Sequence, residues 1–242
     1  MINNTVAEYP APWELQGRGY ILLYKFKKAF IKEQGNVPDF LKGQFAGGFG
    51  SVMLVNYEKS NAGPYGEFLF IPGKFHFRKK RLDNISKIYV SSEESVVNGR
   101  RNWAIPKEQA DFTFERGTTQ HGTTQHGTMP RSTAERDEHI CIKCGDTEVA
   151  DFVIRCGRLK FPVSTKLLPF PLVQKQDGKY FFTSFSGHGM GRLARIKRVS
   201  VNPAMFPDIS TVKPIAVIAV DPFDITFPKA RIEAAEEFGN EY

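Results

Sequence analysis

The sequence predicts a mainly β (α+β) protein, an antiparallel barrel-like sheet with a few short helices. Short apolar runs recur along the chain between Gly/Pro turns, and none alternates with a long amphipathic helix. Phe is also abundant, at 21 of 242 residues against 8 Tyr and 2 Trp. Regular short strands separated by turn signals point away from a doubly wound α/β fold. Aromatic rings favour strands and apolar interiors.

Residues 1–16, with Pro10 and Pro12, read as an irregular lead-in to a strand at 20–26 (YILLYKF). Residues 31–42 suit a short helix. Gly47, Gly48 and Gly50 precede a strand at 51–57. NAGPY at 61–65 is a turn, because Gly and Pro supply the backbone angles of a reversal. Strands follow at 67–71 and 87–90. Residues 116–138 stand apart: TTQHG occurs at 118–122 and again at 123–127, within a polar stretch. Such composition buries too little apolar surface to offset the entropy of ordering. A mobile loop inserted between two strands is expected, and two short repeats fall far below a solenoid. Strand signals resume at 140 and continue at 152–154, 180–185, 195–201 and 215–220, and the last dozen residues suit a short helix.

The formal net charge is +7. Its basic residues lie in short groups at 25–28, 78–81 and 192–198, as on a solvated surface that attracts small anions; a nucleic-acid partner is not expected. Asn3, Asn4 and Glu8 interrupt any apolar run after Met1, so a signal peptide is not expected. No window approaches the ~20 apolar residues of a membrane span. With 3 Cys, an odd number, the expectation is a cytoplasmic protein with free thiols and no membrane partner.

Two motifs suggest ligands only weakly. Cys141-x-x-Cys144, with His139 and Cys156 nearby, lacks a second pair, and a spacing of three on a strand splays the thiols. No metal is expected there, and His121 and His126 read as solvating a loop. Gly187-His188-Gly189-Met190-Gly191 lacks the Lys-Ser/Thr of a phosphate loop. It reads as a hairpin turn, or as a bend that brings His188 to a pocket.

The informative stretch is 98–110, NGRRNWAIPKEQA. It sets Lys107 after Pro106, in the company of Trp103, Ala104 and Ile105. Such a lysine either snorkels to water or sits desolvated, suited to attack a carbonyl. The segment by itself leaves both open.

It resembles the active-site stretch of the acetoacetate decarboxylase-like family, where a Gly-Arg pair precedes, at a fixed spacing, an aromatic or apolar pair followed by Pro-Lys. Here Gly99-Arg100 lead to Ile105-Pro106-Lys107, with Ala110 closing the pattern. Gly63-Pro64-Tyr65-Gly66-Glu67 is similar to the family's Gly-x-Tyr-x-Glu turn. Gly17-Arg18-Gly19-Tyr20 is a weaker match to a strand start whose Arg faces the substrate. The resemblance is specific around 63–67 and 98–110 and covers most of the chain. It implies a single domain over 1–242 with a β-barrel-like fold.

The resemblance further implies a cofactor-independent lyase that forms a Schiff base between Lys107 and a carbonyl substrate. A β-keto acid that loses carbon dioxide is the leading substrate. An aldolase, dehydratase or cyclase acting on a larger polyketide-like carbonyl compound is the alternative, and a non-catalytic binding barrel a third. A lysine must be neutral to attack a ketone; lowering an ordinary pKa of about 10.4 to near 7 disfavours the ammonium by roughly 4–5 kcal/mol. Burial supplies this, or a neighbouring cation, as in acetoacetate decarboxylase.

Glu67 would be the pocket acid, against a solvated strand start. Arg18 would bind a substrate carboxylate or simply lie at the surface. Tyr65 belongs to the same turn as Glu67 and is assigned to substrate binding. Arg100 either holds the loop or adds positive potential near Lys107, and Trp103 is core or pocket wall. Three positions depart from the pattern. Glu108 replaces a second Lys but should point to the opposite face of its strand. Arg101 stands where a Glu is common. Residues 51–55 hold no carboxylate where the decarboxylase has a second pocket acid, Val52 being the nearest match. The family also tends to assemble, although no interface stripe is legible here.

Overall fold

A computed structural model describes residues 6–117, 137–166 and 169–235. In chain order its elements are β1 (Trp13–Tyr24), α1 (Lys28–Gln34), β2 (Phe45–Gly47), β3 (Gly50–Lys59), β4 (Tyr65–Ile71), β5 (Lys74–Phe77), β6 (Lys80–Asp83), β7 (Lys87–Val90) and α2 (Glu93–Trp103). There follow β8 (Lys107–Gln109), β9 (Asp111–Arg116), β10 (Asp137–Cys144), β11 (Thr147–Ser164), β12 (Pro171–Gln176), β13 (Lys179–Ser184), β14 (Ser186–Val201), β15 (Ala216–Phe227) and β16 (Arg231–Ala234). A ten-stranded sheet runs β8-β7-β4-β3-β1-β15-β14-β11-β10-β9, and a six-stranded sheet runs β16-β13-β12-β6-β5-β2.

Pairing is antiparallel except at β7–β8 and β6–β12. The large sheet coils until β9 returns towards β4. There Gly66 has no side chain because the Phe112 ring occupies its place; a Cβ would sit 2.7 Å from that ring. The result is the nearly closed, barrel-like β architecture expected from the strand-rich pattern.

Side-chain alternation sorts the large sheet's residues into two cores. On β1, Tyr20, Leu22 and Tyr24 join Leu54, Phe68 and Phe70 in one. Trp13 and Leu15 face the other way, with Met53, Val55 and Leu69. The second core encloses the candidate site.

Several elements differ from the sequence reading. β1 begins at Trp13, because Trp13 and Leu15 are buried cross-strand partners of β15 and not part of an irregular lead-in. The expected helix at 31–42 is shorter and earlier: α1 ends before Gly35, and Pro38 restricts Val37 so that only a 3-10 turn, Asp39–Leu41, follows. Gly187–Gly191 lie inside β14 and form no hairpin turn. Near the C-terminus, Arg231–Ala234 form a strand on β13 where a helix was expected. Arg116 and Glu138 pair across β9 and β10, so both strands reach into the expected loop; its tandem repeat lies outside the described residues. Among the described residues no helix is long and apolar enough to cross a membrane.

Candidate active site

The parallel pair β7–β8 requires a crossover connection, and α2 provides it. Ser92 caps that helix by accepting from the Ser95 amide, Glu93 and Glu94 fill its first turn, and Arg100 and Arg101 its last. Ala104 then takes a left-handed conformation, φ 54°, and returns the chain into β8. Lys107 is thereby the first residue of β8, opposite Ile88, and its side chain lies back across α2. Gly99 gives it room: a Cβ there would stand 2.7 Å from Lys107 Cδ and 2.8 Å from Cε.

Lys107 is 3% exposed. Its Nζ donates to Glu67 Oε2 at 3.1 Å and to Ser95 Oγ at 2.9 Å. Glu67, also buried, accepts at Oε1 from the Tyr57 hydroxyl at 3.0 Å. The Tyr65 ring lies 5.0 Å and the Trp13 ring 5.8 Å from the amine nitrogen. Burial, and then the charge of Glu67, raises the hydroxyls of Tyr57 and Tyr65 well above the ordinary tyrosine range. Both therefore remain neutral hydrogen-bond donors.

These groups open onto a cavity of about 400 Å³. Its wall is hydrocarbon, drawn from β1, β3, β4, β7, β15 and the aromatic residues Phe170 and Phe185. A buried amine beside a carboxylate, facing an apolar space, is equipped for nucleophilic attack with proton transfer close by.

Lys107, Glu67, Tyr65 and Trp103 all line this cavity. The Trp103 indole donates to Pro228 O at 2.7 Å, which fixes its ring as wall. Arg18 and Arg100 do not line it. Arg18 shares the Tyr20 face of β1 and is bonded to buried Glu138 in a separate polar pocket of about 90 Å³. Arg100 is exposed, because a helix turns each residue by about 100° from the last and Gly99 takes the inward position. Neither is placed to bind a substrate at Lys107.

Glu108 points outward to Lys87, Nζ to Oε1 2.6 Å, as strand alternation requires. The residue facing Glu67 across the strands is Val55, whereas Val52 joins the opposite core. The site thus has Glu67 as the lone carboxylate among its lining residues. His188 also lines the cavity, with its side chain 76% exposed, so it stands where the cavity meets solvent.

The two thiols of the CxxC motif do not converge: Cys144 bonds to Gln109 O, while Cys141 lies near Glu148 and Asp151. Asp151 is already engaged by His139 and Arg198.

Ser95, Tyr57 and Trp13 escaped the sequence reading as site residues, and Gly99 entered it only as part of the Gly-Arg pair, without its role beside Lys107. Tyr57 shares its strand face with Val55, opposite the face of Val52. Ser95 and Gly99 are four apart on one helix face, but only once 93–103 is recognised as a helix. The Ser-Glu-Glu cap and the Arg pair at its end were the available signals.

The family described as acetoacetate decarboxylase (ADC) matches residues 4–135. Among solved structures, an acetoacetate decarboxylase from Legionella pneumophila superposes with a TM-score of 0.67 at 13% identity, covering 96% of this chain and 93% of that one. The enduracididine biosynthesis enzyme MppR, with HEPES buffer bound, gives 0.65 at 12% identity, covering 97% and 91%. An acetoacetate decarboxylase-like enzyme from Sphingomonas wittichii gives 0.61 at 12%, covering 97% of each chain. These likenesses concern the fold. No curated protein matches the chain by sequence.

Proposed function

Because the chain belongs to the acetoacetate decarboxylase family, we propose that it is a cofactor-independent lyase whose Lys107 forms a Schiff base with a β-keto acid and releases carbon dioxide. The supporting observation is a buried amine that faces an apolar cavity within 3.1 Å of a buried carboxylate.

Glu67 takes a proton from Nζ, and the neutral amine attacks the ketone carbon. The carbinolamine loses its hydroxyl as water, leaving an iminium. The bond between the carboxylate carbon and the α-carbon then breaks, its electron pair moves towards the iminium nitrogen, and carbon dioxide departs. The resulting enamine takes a proton at the α-carbon, and water hydrolyses the iminium to free the ketone and Lys107. Glu67 is the group in reach for these proton transfers, with Tyr57 steadying its second oxygen. Hydrocarbon walls favour the step that disperses the carboxylate charge.

A second reading keeps the iminium but uses it for aldol chemistry or dehydration. Val55 favours it: the residue opposite Glu67 across the strands is hydrocarbon, so a single carboxylate serves the site. MppR has been solved with pyruvate, and with the condensation product of pyruvate and imidazole 4-carboxaldehyde. Carbon dioxide release from a panel of β-keto acids separates the two. The first reading expects release by the wild type and none above background for Lys107→Ala. Wild-type imine formation without release would transfer the assignment to the second.

A further inference from the structure

The cavity is far larger and less polar than a short keto acid requires. Its volume of about 400 Å³ holds roughly a dozen non-hydrogen atoms at the ~30 Å³ each occupies in a liquid. Besides Lys107, Glu67 and two tryptophan indoles, its polar lining consists of Tyr20, Tyr57, Tyr65, Ser164, Thr165 and His188. No arginine lines it among the described residues. A carboxylate remote from the reacting carbonyl would be buried in hydrocarbon with no guanidinium to meet it, which is costly. A carboxylate on the α-carbon is different, because its tether keeps it beside Lys107 until it leaves. Hydrocarbon surface, in contrast, is welcome along every wall.

We propose that the substrate is a medium-chain 3-oxo acid whose tail is a plain hydrocarbon of about six to eight carbons, and that the product is the corresponding methyl ketone. This rests on the Schiff-base reading above and names the substrate class of that site. The carbonyl docks at Lys107, the tail fills the space walled by Leu15, Ile21, Leu69 and Phe223, and the exposed His188 marks the mouth. One carbon–carbon bond breaks, carbon dioxide leaves, and water supplies the proton that replaces it. Dicarboxylic and hydroxylated keto acids are disfavoured, because their extra polar groups would be desolvated without partners.

The chain carries its own reporter. It has 2 Trp residues, and both, Trp13 and Trp103, line the cavity. Intrinsic tryptophan emission therefore reads occupancy of this site alone. Lys107→Ala, which cannot form the imine, is titrated with methyl ketones from butanone to undecanone. Each added methylene is expected to lower Kd about fourfold until the cavity is full. A series with no dependence on length, or with the shortest ketone binding best, would overturn the proposal. If Lys107→Ala does not fold, the same series is run on the wild type, reading the rate of borohydride-trapped imine against chain length. Trapping confined to butanone, the shortest member of the series, would overturn the substrate class and leave the Schiff-base reading standing. Length-dependent binding without any trapping would do the reverse.

Discussion

Gly99→Ala places one methyl group against the shaft of Lys107, and its consequences can be worked from the geometry. The new Cβ would stand 2.7 Å from Cδ and 2.8 Å from Cε, where ordinary carbon contacts are about 3.5–4.0 Å. The shaft must therefore move by about 1 Å. That is enough to break the bonds of Nζ to Ser95 and Glu67, now 2.9 and 3.1 Å. A misplacement of about 1 Å costs on the order of a hundredfold in rate. Stability responds less. Alanine gains about 0.5–1 kcal/mol over glycine inside a helix, against an overpacking cost of about 1–3 kcal/mol. The net loss of roughly 0–2.5 kcal/mol lowers Tm by at most about 5–10 °C in a chain of this size. The assay pairs thermal unfolding with the rate of imine trapping, and Arg100→Ala, on the exposed side of the same helix, is the control for both. Gly99→Ala trapping at the wild-type rate would refute the reasoning, since Lys107 would then not need the position it occupies.

Three further outcomes follow from the same contacts. Glu67→Gln keeps the shape of the site but removes its lone lining carboxylate, so turnover should fall about 10²–10⁴-fold while the slow borohydride adduct remains detectable by mass. Arg18→Ala leaves buried Glu138 without its closest cation and should cost about 3 kcal/mol in denaturant unfolding; if Arg18 instead binds substrate, Kd would change and stability would not. Burial raises the Asp83 carboxyl from 3.8 to about 6, against the opposing pull of Lys74. Its folded pKa is the higher one, so its contribution is complete below about pH 4 and is lost as pH rises through about 6, an effect of up to about 3 kcal/mol. Denaturation at pH 4.5 and 7.5 should show wild type losing more stability than Asp83→Asn between the two.

Strand existence was legible because hydrocarbon runs and Gly/Pro turns are local signals. Strand length was not. β11 and β14 extend to 18 and 16 residues through polar positions that pair with each other across the sheet, a non-local fact. Helix α2 was hidden by its composition, since the apolar stripe that normally announces a helix is replaced by Ser95 and Gly99 facing Lys107. Those residues depart from the pattern because the site needs their smallness. Lys107 was legible through a motif whose spacing encodes a helix, a left-handed exit and a strand start, and Glu67 through the separate turn motif at 63–67. Arg100 sits in the same motif as Lys107 and Arg18 in a third, both on the wrong face, and only the turn of α2 and the parity of β1 decide that. The hydrocarbon cavity could not be read, because its walls come from strands scattered from Trp13 to Phe227.

Covalent capture at Lys107 is the most direct test of its role as the imine-forming amine. The protein is incubated with a 3-oxo acid, reduced with borohydride, digested, and its peptides mapped by mass. A reduced adduct on the peptide bearing Lys107, absent from Lys107→Ala, is the predicted result. An unmodified Lys107 across short and medium chains, or an adduct that survives in Lys107→Ala, would contradict it.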